Sequence, residues 1–417
     1  MNGREAKQKL VNSPLSIHVC VLALYSVALV WPLKLGNPIR EEVECGWDGT
    51  WYCLMFRGLH DDVAEPFRRR LAPPLLARVF GPDPIDSFLI LNVIAMVVVA
   101  VTTTTILVLS YRDARHNAYR WVSALGFAGV VAFSRNTFHH FVNAPVLTDY
   151  LAVAGVFLAV FAIFTSSRGN KSVGVASILV AVPLAILSRE VFGPAFIAAA
   201  IAMLITRHLR GLGLYTAISS TALTTFTLLT SNADDSLGVI SGWIVAYTTS
   251  WQSVTIFGVM LGVSLGVWPI IVLIDARSAV KQEWLRPILV LALSLFTLSV
   301  FGGGNLDRIL LPVGLLLTFV AAVRIRNNYQ LAAFAAAAYG MIIMQYPFYI
   351  MPEGAHNFLG FIDFWHSSTF EEVLSFGVGG ILMASPLLVS AVVLAWLARS
   401  RAETMSQSAE ASDRNSA

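Results

Sequence analysis

The chain has 417 residues, of which 56% are hydrophobic and only 13% are charged, and its mean hydropathy is +0.70. Soluble domains carry roughly 25% charged residues, so this composition excludes a soluble enzyme and a disordered chain, and three cysteines are too few for a disulfide-rich secreted module. The net charge of +3 is too small to indicate nucleic-acid binding. We therefore expect an all-α, polytopic transmembrane helical bundle.

Apolar stretches recur between short polar breaks along the whole chain. Because a span needs roughly 20 residues, they predict about twelve spans, to within one or two. Residues 1–398 are expected to form the transmembrane domain, and residues 399–417, rich in Ser, Ala and Glu, a disordered cytoplasmic tail. The apolar stretches cover residues 15–34, 88–110, 121–133, 149–165, 173–187, 191–206, 214–230, 254–274, 288–301, 309–323, 331–346 and 373–397.

The distribution of charge predicts the orientation of these spans. With the N-terminus in the cytoplasm, most of the 28 Lys and Arg residues fall on the inner side and most of the 25 acidic residues on the outer side. Cytoplasmic loops of membrane proteins carry such an excess of basic residues. The pattern predicts an even number of spans, with both termini cytoplasmic.

The first outer loop, residues 36–86, is the longest polar stretch and the candidate active-site loop. Glu44, Asp48 and Tyr52 recur at a spacing of four, so a helix would align them on one face. Aromatic residues such as Trp51 suit both the membrane interface and stacking on a sugar ring. The alternative is a solvated acid beside ordinary interfacial aromatics.

Two further features of this loop are structural. An amphipathic interfacial helix is expected over Arg68–Phe80, with leucines and a valine on one face and arginines on the other. Cys45 and Cys53 bracket Asp48, and either a disulfide or two free thiols fits their spacing.

The second outer loop offers another carboxylate, Asp149, at the start of the fourth span, preceded by His139 and His140. In a functional reading, Asp149 joins the site and a histidine helps to hold a metal or a phosphate. In the alternative, Asp149 caps its helix, since the histidine pair lacks a recognisable metal-ligand spacing.

Two pairs of charged residues lie close to the predicted membrane, Arg189–Glu190 and Asp307–Arg308. Charges at this depth are costly and by default indicate function, and an arginine can bind a phosphate through two hydrogen bonds at once. The alternative is a local salt bridge within each pair, anchoring the ends of helices.

Five short segments together resemble the GT-C superfamily of polytopic membrane glycosyltransferases. Within that superfamily they resemble poorly characterised bacterial members. They are WDGTWY, PFRRRLAPPLLA, APVLTDYLA, LSRE and GGGNLDRILLP, spread from Trp47 to Pro312. The resemblance implies a protein of the bacterial inner membrane that transfers a sugar from a polyprenyl-phosphate donor to an acceptor hydroxyl on the outer side. It implies the lipid-linked sugar and membrane lipid as partners, no nucleic acid, and a divalent ion, Mg or Mn, as the candidate cofactor.

By the same resemblance, Asp48 acts as catalytic base or metal ligand, and Asp149 is a second catalytic carboxylate. Arg189 and Arg308 are candidates for the lipid phosphate. The remaining candidate substrate-binding residues are Arg70, Glu190, Asp307, Trp51, Tyr52, His139 and His140. The sequence departs from many members in that Asp48 has only Glu44 as a near acidic neighbour.

Two other classes of protein fit the same topology. A transporter or flippase for a lipid-linked or small solute predicts broken helices and an internal repeat, but polar residues here gather at the outer ends of the spans. A polysaccharide polymerase or ligase would also keep arginines in its outer loops and would differ mainly in its acceptor.

Overall fold

The computed structural model describes residues 14–35, 48–63, 67–111, 117–134, 149–229, 258, 261–300, 306–345 and 370–416. Within these ranges the secondary structure is helical and contains no strand, which confirms the all-α prediction there. The α-helices are α1 Pro14–Leu35, α2 Asp48–Arg57, α3 Ala72–Ala77, α4 Pro84–Ser110, α5 Asn117–Ala132, α6 Asp149–Ser167, α7 Lys171–Ile186, α8 Phe192–Ile205, α9 Arg210–Leu229, α10 Trp268–Ile274, α11 Ala276–Lys281, α12 Leu285–Val300, α13 Leu306–Val323, α14 Asn328–Gln345 and α15 Phe370–Ser416.

Helix α6 is the centre of the bundle and is buried along almost its whole length. Rings from α5, α6 and α13 meet in its middle, where Phe157 lies 5.6 Å from Phe127 and 5.9 Å from Phe319 between ring centroids. On its other side α7 approaches closely at Gly155, where a Cβ atom would lie 2.8 Å from the Ala181 carbonyl oxygen. A small residue at the crossing lets the two backbones approach, as is common between helices in membranes.

Four segments of the described chain are long and apolar enough to cross a membrane: Pro84–Ser110, Asp149–Ser167, Arg207–Leu229 and Val378–Arg401. Five shorter apolar helical segments accompany them: Leu15–Val27, Lys171–Ile186, Phe192–Ile205, Leu285–Leu298 and Leu310–Val323. The fold is therefore compatible with a membrane protein. The predicted number of twelve spans and their orientation stay predictions.

The structure differs from expectation in the segment from Arg68 to Phe80. Only Ala72–Ala77 is α-helical, and 3₁₀ turns at Phe67–Arg69 and Arg78–Phe80 flank it. The arginines do not share one solvated face: Arg69 and Arg70 are buried, and the apolar Leu75 and Val79 are exposed. Two buried prolines in the first turn of α3 keep the helix from extending on its N-terminal side, because they lack the N–H groups that would bond to preceding carbonyls.

The last helix, α15, continues to Ser416, through the residues for which the composition suggests a disordered tail. Residues 399–417 contain four Ala, three Arg and two Glu, and these residue types favour a helix.

Helix α4 defines the two ends of the bundle. Its 27 residues span about 40 Å, from Pro84, beside α3, to Ser110. At its far end Tyr111 donates a hydrogen bond to the Ala322 carbonyl and accepts one from the Ile325 amide at 3.1 Å. We call this the Tyr111 end, and the opposite end, where α6 begins, the Asp149 end.

Candidate functional site

Helix α2 carries the first predicted site residues at the Asp149 end. It begins at Asp48 and ends in a Schellman motif, with Gly58 at φ +88° and hydrogen bonds from Gly58 N to Met55 O (3.1 Å) and from Leu59 N to Leu54 O (2.9 Å). Glycine accepts this left-handed conformation without steric cost.

A side chain in the segment that follows α2 binds the C-terminus of this helix. The Arg78 guanidinium donates from Nε to the Phe56 carbonyl at 2.6 Å and from Nη2 to the Met55 carbonyl. A cation at this position also interacts favourably with the negative end of the helix dipole. Arg78 was not among the predicted site residues, and a basic residue 21 positions after the helix end at Arg57 gives no sequence pattern from which to find it.

Arg70 joins the first loop to the turn between α7 and α8. Its Nε and Nη2 atoms each lie 3.1 Å from a carboxylate oxygen of Glu190, and its Nη1 donates to the Tyr52 hydroxyl at 3.3 Å. The Arg70 and Glu190 side chains are only 11% and 27% exposed. A backbone hydrogen bond from Ala72 N to Leu187 O, 3.2 Å long, joins the same two segments.

The pKa values of this pair shift in the directions that favour charge on both groups. Burial alone would lower the pKa of the Arg70 guanidinium, but Glu190 and Tyr52 raise it well above its ordinary value. Burial alone would raise the pKa of the Glu190 carboxyl, but Arg70 lowers it, with a smaller contribution from Arg189. Because the attraction outweighs the desolvation of both groups, the pair stays ionised at neutral pH.

A second ion pair lies next to the first. Arg189 Nη2 is 2.6 Å from Asp149 Oδ1, and the two side chains are 12% and 5% exposed. Asp149 is the first residue of α6, where the helix dipole also favours a negative charge. Asp149 is thus more than the simple helix cap of the alternative reading, because it holds the α7–α8 turn.

The two ion pairs connect segments that are distant in sequence. Arg189 and Glu190 are neighbours, yet one pairs with Asp149 on α6 and the other with Arg70 in the first loop. The local salt bridge considered for this pair is therefore not the arrangement found. In the α7–α8 turn, Arg189 bonds to α6 and Glu190 bonds to the first loop. The turn therefore connects these two segments.

Aromatic rings cover Arg70. Its guanidinium carbon lies 4.7 Å from the ring centroid of Phe67, and Trp51 stacks against Phe67 with centroids 6.4 Å apart and an interplanar angle of 24°. Tyr52 meets the same Phe67 ring edge-on at 5.8 Å. The structure thus gives Trp51 and Tyr52 a packing role, and Phe67, which sequence reasoning did not select, is the ring that connects them.

The other predicted residues are placed only in part. Asp48 begins α2 one turn before Tyr52, but its side chain lies outside what the structure describes. Helix α13 begins with Leu306, Asp307 and Arg308; since its other end meets Tyr111, this beginning faces the Asp149 end. The side chains of Asp307 and Arg308 are not described either.

Several predictions lie partly or wholly outside the described residues, namely those on Glu44, Cys45, His139 and His140. Cys53 is disulfide-bonded and Cys20 carries a free thiol. Within the described ranges no three His, Cys, Asp or Glu side chains come together as metal ligands would.

In chemical terms, the described part of the site is a charge-balanced frame. Two buried guanidiniums and two carboxylates hold the first loop, the start of α6 and the α7–α8 turn in fixed relation. A carboxylate that accepts from a guanidinium is a weak proton acceptor, so Glu190 and Asp149 suit positioning better than base catalysis.

No protein-family model matches the chain, and neither a curated protein nor a solved structure is significantly similar to it.

Proposed function

We propose that the protein is a membrane glycosyltransferase that moves a sugar from a polyprenyl-phosphate donor to an acceptor hydroxyl. The observation that carries the proposal is the meeting of Arg70, Glu190, Arg189 and Asp149 beside the helix that begins at Asp48. Together with Asp48, these residues belong to four of the five segments that resemble GT-C enzymes. Buried ion pairs are costly to assemble, so such a frame is more than loop packing requires.

The proposed chemistry assigns the proton transfer to Asp48. Its carboxylate takes the proton of the acceptor hydroxyl while the hydroxyl oxygen forms a bond to the anomeric carbon. The bond from that carbon to the phosphate oxygen breaks, and the polyprenyl phosphate departs with the electron pair. The configuration at the anomeric carbon inverts in this single displacement.

The arginines divide into two roles in this proposal. Arg70 and Arg189 already face carboxylates, so they act as positioning residues that keep the first loop against α6. Arg308, at the start of α13, is the candidate that neutralises the departing phosphate. The proposed orientation places the reaction on the outer side of a bacterial inner membrane.

The test is sugar transfer by purified, lipid-reconstituted protein, with radiolabelled polyprenyl-phosphate sugars and a crude membrane pool of acceptors. Removing the base in Asp48→Asn is expected to lower transfer by about 100-fold or more. The matched control is Asp61→Asn, which removes a 99% exposed carboxylate from the same loop and is expected to keep wild-type transfer.

Equal transfer by Asp48→Asn and wild type, with both folded by thermal melt, would remove Asp48 from the catalytic role. Absence of transfer by wild type with every donor, together with movement of a lipid-linked or small solute across the vesicle membrane, would favour the transporter class instead.

A further inference from the structure

A second charged region lies at the Tyr111 end, about 40 Å along α4 from the candidate active site. It is a cavity of about 430 Å³ between α10, α11, α13, α14 and α15. Its polar rim includes Asp275, Arg277, Lys281, Arg324, Arg326 and Arg399. This region takes no part in the function proposed above.

The charges of the rim are not balanced. Among the lining residues that the structure describes, Asp275 is the one carboxylate, and five are Lys or Arg. Asp275 already accepts from Arg324 Nε at 2.6 Å, and Arg324 also donates to the Ser278 hydroxyl. The lining therefore carries an excess of positive charge after its internal ion pair is counted.

The cations of the rim are also close enough to affect one another. Burial and the neighbouring Arg324 both lower the pKa of the Arg326 guanidinium. Lys281 and Arg326 are exposed at the rim. A bound anion would relieve this repulsion and would gain charge-assisted hydrogen bonds from the guanidiniums.

The remainder of the cavity wall is apolar. Val272, Val320, Ala333 and Phe334 line it along the helices, toward the interior of the bundle. A soluble anion would gain nothing from such a wall, whereas a molecule with a phosphate and a hydrocarbon chain would use both parts. Basic pockets between the helices of membrane proteins bind anionic lipid head groups in this way.

We propose that this cavity binds the phosphate head group of an anionic membrane lipid. The rim residues Lys281, Arg277 and Arg326 contact the phosphate, and an acyl chain lies along the apolar wall. The proposal does not depend on the glycosyltransferase assignment, because it uses no residue of the Asp149 end.

The experiment is native mass spectrometry of the purified full chain, titrated with phosphatidylglycerol. Wild type is compared with the double variant Lys281→Gln/Arg326→Gln. At about 1 kcal/mol for each basic residue near a lipid phosphate, the apparent affinity of the double variant is expected to be about 30-fold weaker.

The matched control is Arg207→Gln/Arg210→Gln, which removes two exposed arginines outside the cavity. They belong to the same end, since the intervening His208 pairs with Glu283, next to the start of α12. This variant is expected to bind phosphatidylglycerol as wild type does.

Three results would overturn the proposal. The first is equal affinity of wild type and the cavity variant, and the second is equal binding of phosphatidylcholine and phosphatidylglycerol. The third is displacement of the lipid by inorganic phosphate at concentrations similar to those of the lipid, which would identify a water-soluble anion as the ligand.

Discussion

The two ends of the bundle use arginine in opposite ways. At the Asp149 end, Arg70 and Arg189 are each matched by a carboxylate and lie largely out of contact with water. At the Tyr111 end, one such match, between Arg324 and Asp275, lies within a rim where basic residues exceed acidic ones. What differs between the two ends is the charge that surrounds the arginines.

This difference indicates which end requires something from outside the chain. In a buried ion pair each charge is compensated by its partner, and the pair fixes the geometry of the segments it joins. Removing one partner leaves the other charge buried without compensation, which is strongly destabilising. An exposed rim with excess positive charge does little to fix the positions of the helices, and it is stabilised when an anion binds. The same replacement of a charged side chain by an amide should therefore have opposite consequences at the two ends.

The largest effect is expected for Glu190→Gln. The change leaves the buried Arg70 guanidinium without a compensating charge, so the free energy of unfolding should fall by about 3 kcal/mol. The measurement is denaturant or thermal unfolding of the detergent-solubilised protein. The control, Asp61→Asn, removes the partner of Arg68 in an exposed pair and should leave the unfolding unchanged. Similar losses in both variants would mean that burial does not distinguish the two ion pairs.

A smaller but more specific effect is expected in double-mutant cycles on Arg189. The coupling energy between Arg189→Gln and Asp149→Asn should be about 1–3 kcal/mol, because these side chains are in direct contact. The coupling between Arg189→Gln and Glu190→Gln should be smaller, since Glu190 bonds to Arg70. A larger coupling energy between Arg189 and Glu190 than between Arg189 and Asp149 would support the local salt bridge instead.

The dependence of stability on pH provides a third test. The pKa of Glu190 is lowered in the folded state from its ordinary value of 4.5, so the unfolded chain binds the proton more tightly. Its stabilisation is therefore complete above the unfolded pKa and is lost as the pH falls through the folded pKa. Wild type should lose this contribution on acidification below about pH 4.5, whereas Glu190→Gln should show a shallower loss over the same range. Parallel pH profiles would contradict the assignment.

The helices were largely predictable from the sequence because a membrane-compatible segment must be apolar over most of its length. The apolar stretch 149–165 matches α6, Asp149–Ser167, and the stretch 88–110 matches most of α4, Pro84–Ser110. The segment from Arg68 to Phe80 was not predictable in the same way. Two of its arginines, Arg69 and Arg70, are buried, and Arg70 bonds to a residue 120 positions away, which no local periodicity records.

For the site, residue types were more predictable than pairings. Arginines and acids beside apolar stretches select Arg70, Asp149, Arg189 and Glu190 without knowledge of the fold. Their pairing depends on the α7–α8 turn, where two successive non-helical residues direct their side chains to different segments. Phe67 and Arg78 carry no pattern of their own, because their roles follow only from the rings and carbonyls that the fold brings to them.

The smallest effect, and the one that separates the two ends most clearly, is expected for Arg326→Gln. Burial and Arg324 lower the pKa of Arg326, so in the absence of an anion the charged form is held less favourably in the folded state than in the unfolded state. Removing the charge should leave the free energy of unfolding unchanged or raise it by less than about 0.5 kcal/mol, because solvent screens an exposed group. The measurement is unfolding in detergent at low salt without added anionic lipid, where screening by ions is weakest. Destabilisation comparable to that of Glu190→Gln would mean that the charge of Arg326 is compensated within the protein, and the contrast between a balanced and an unbalanced end would fail.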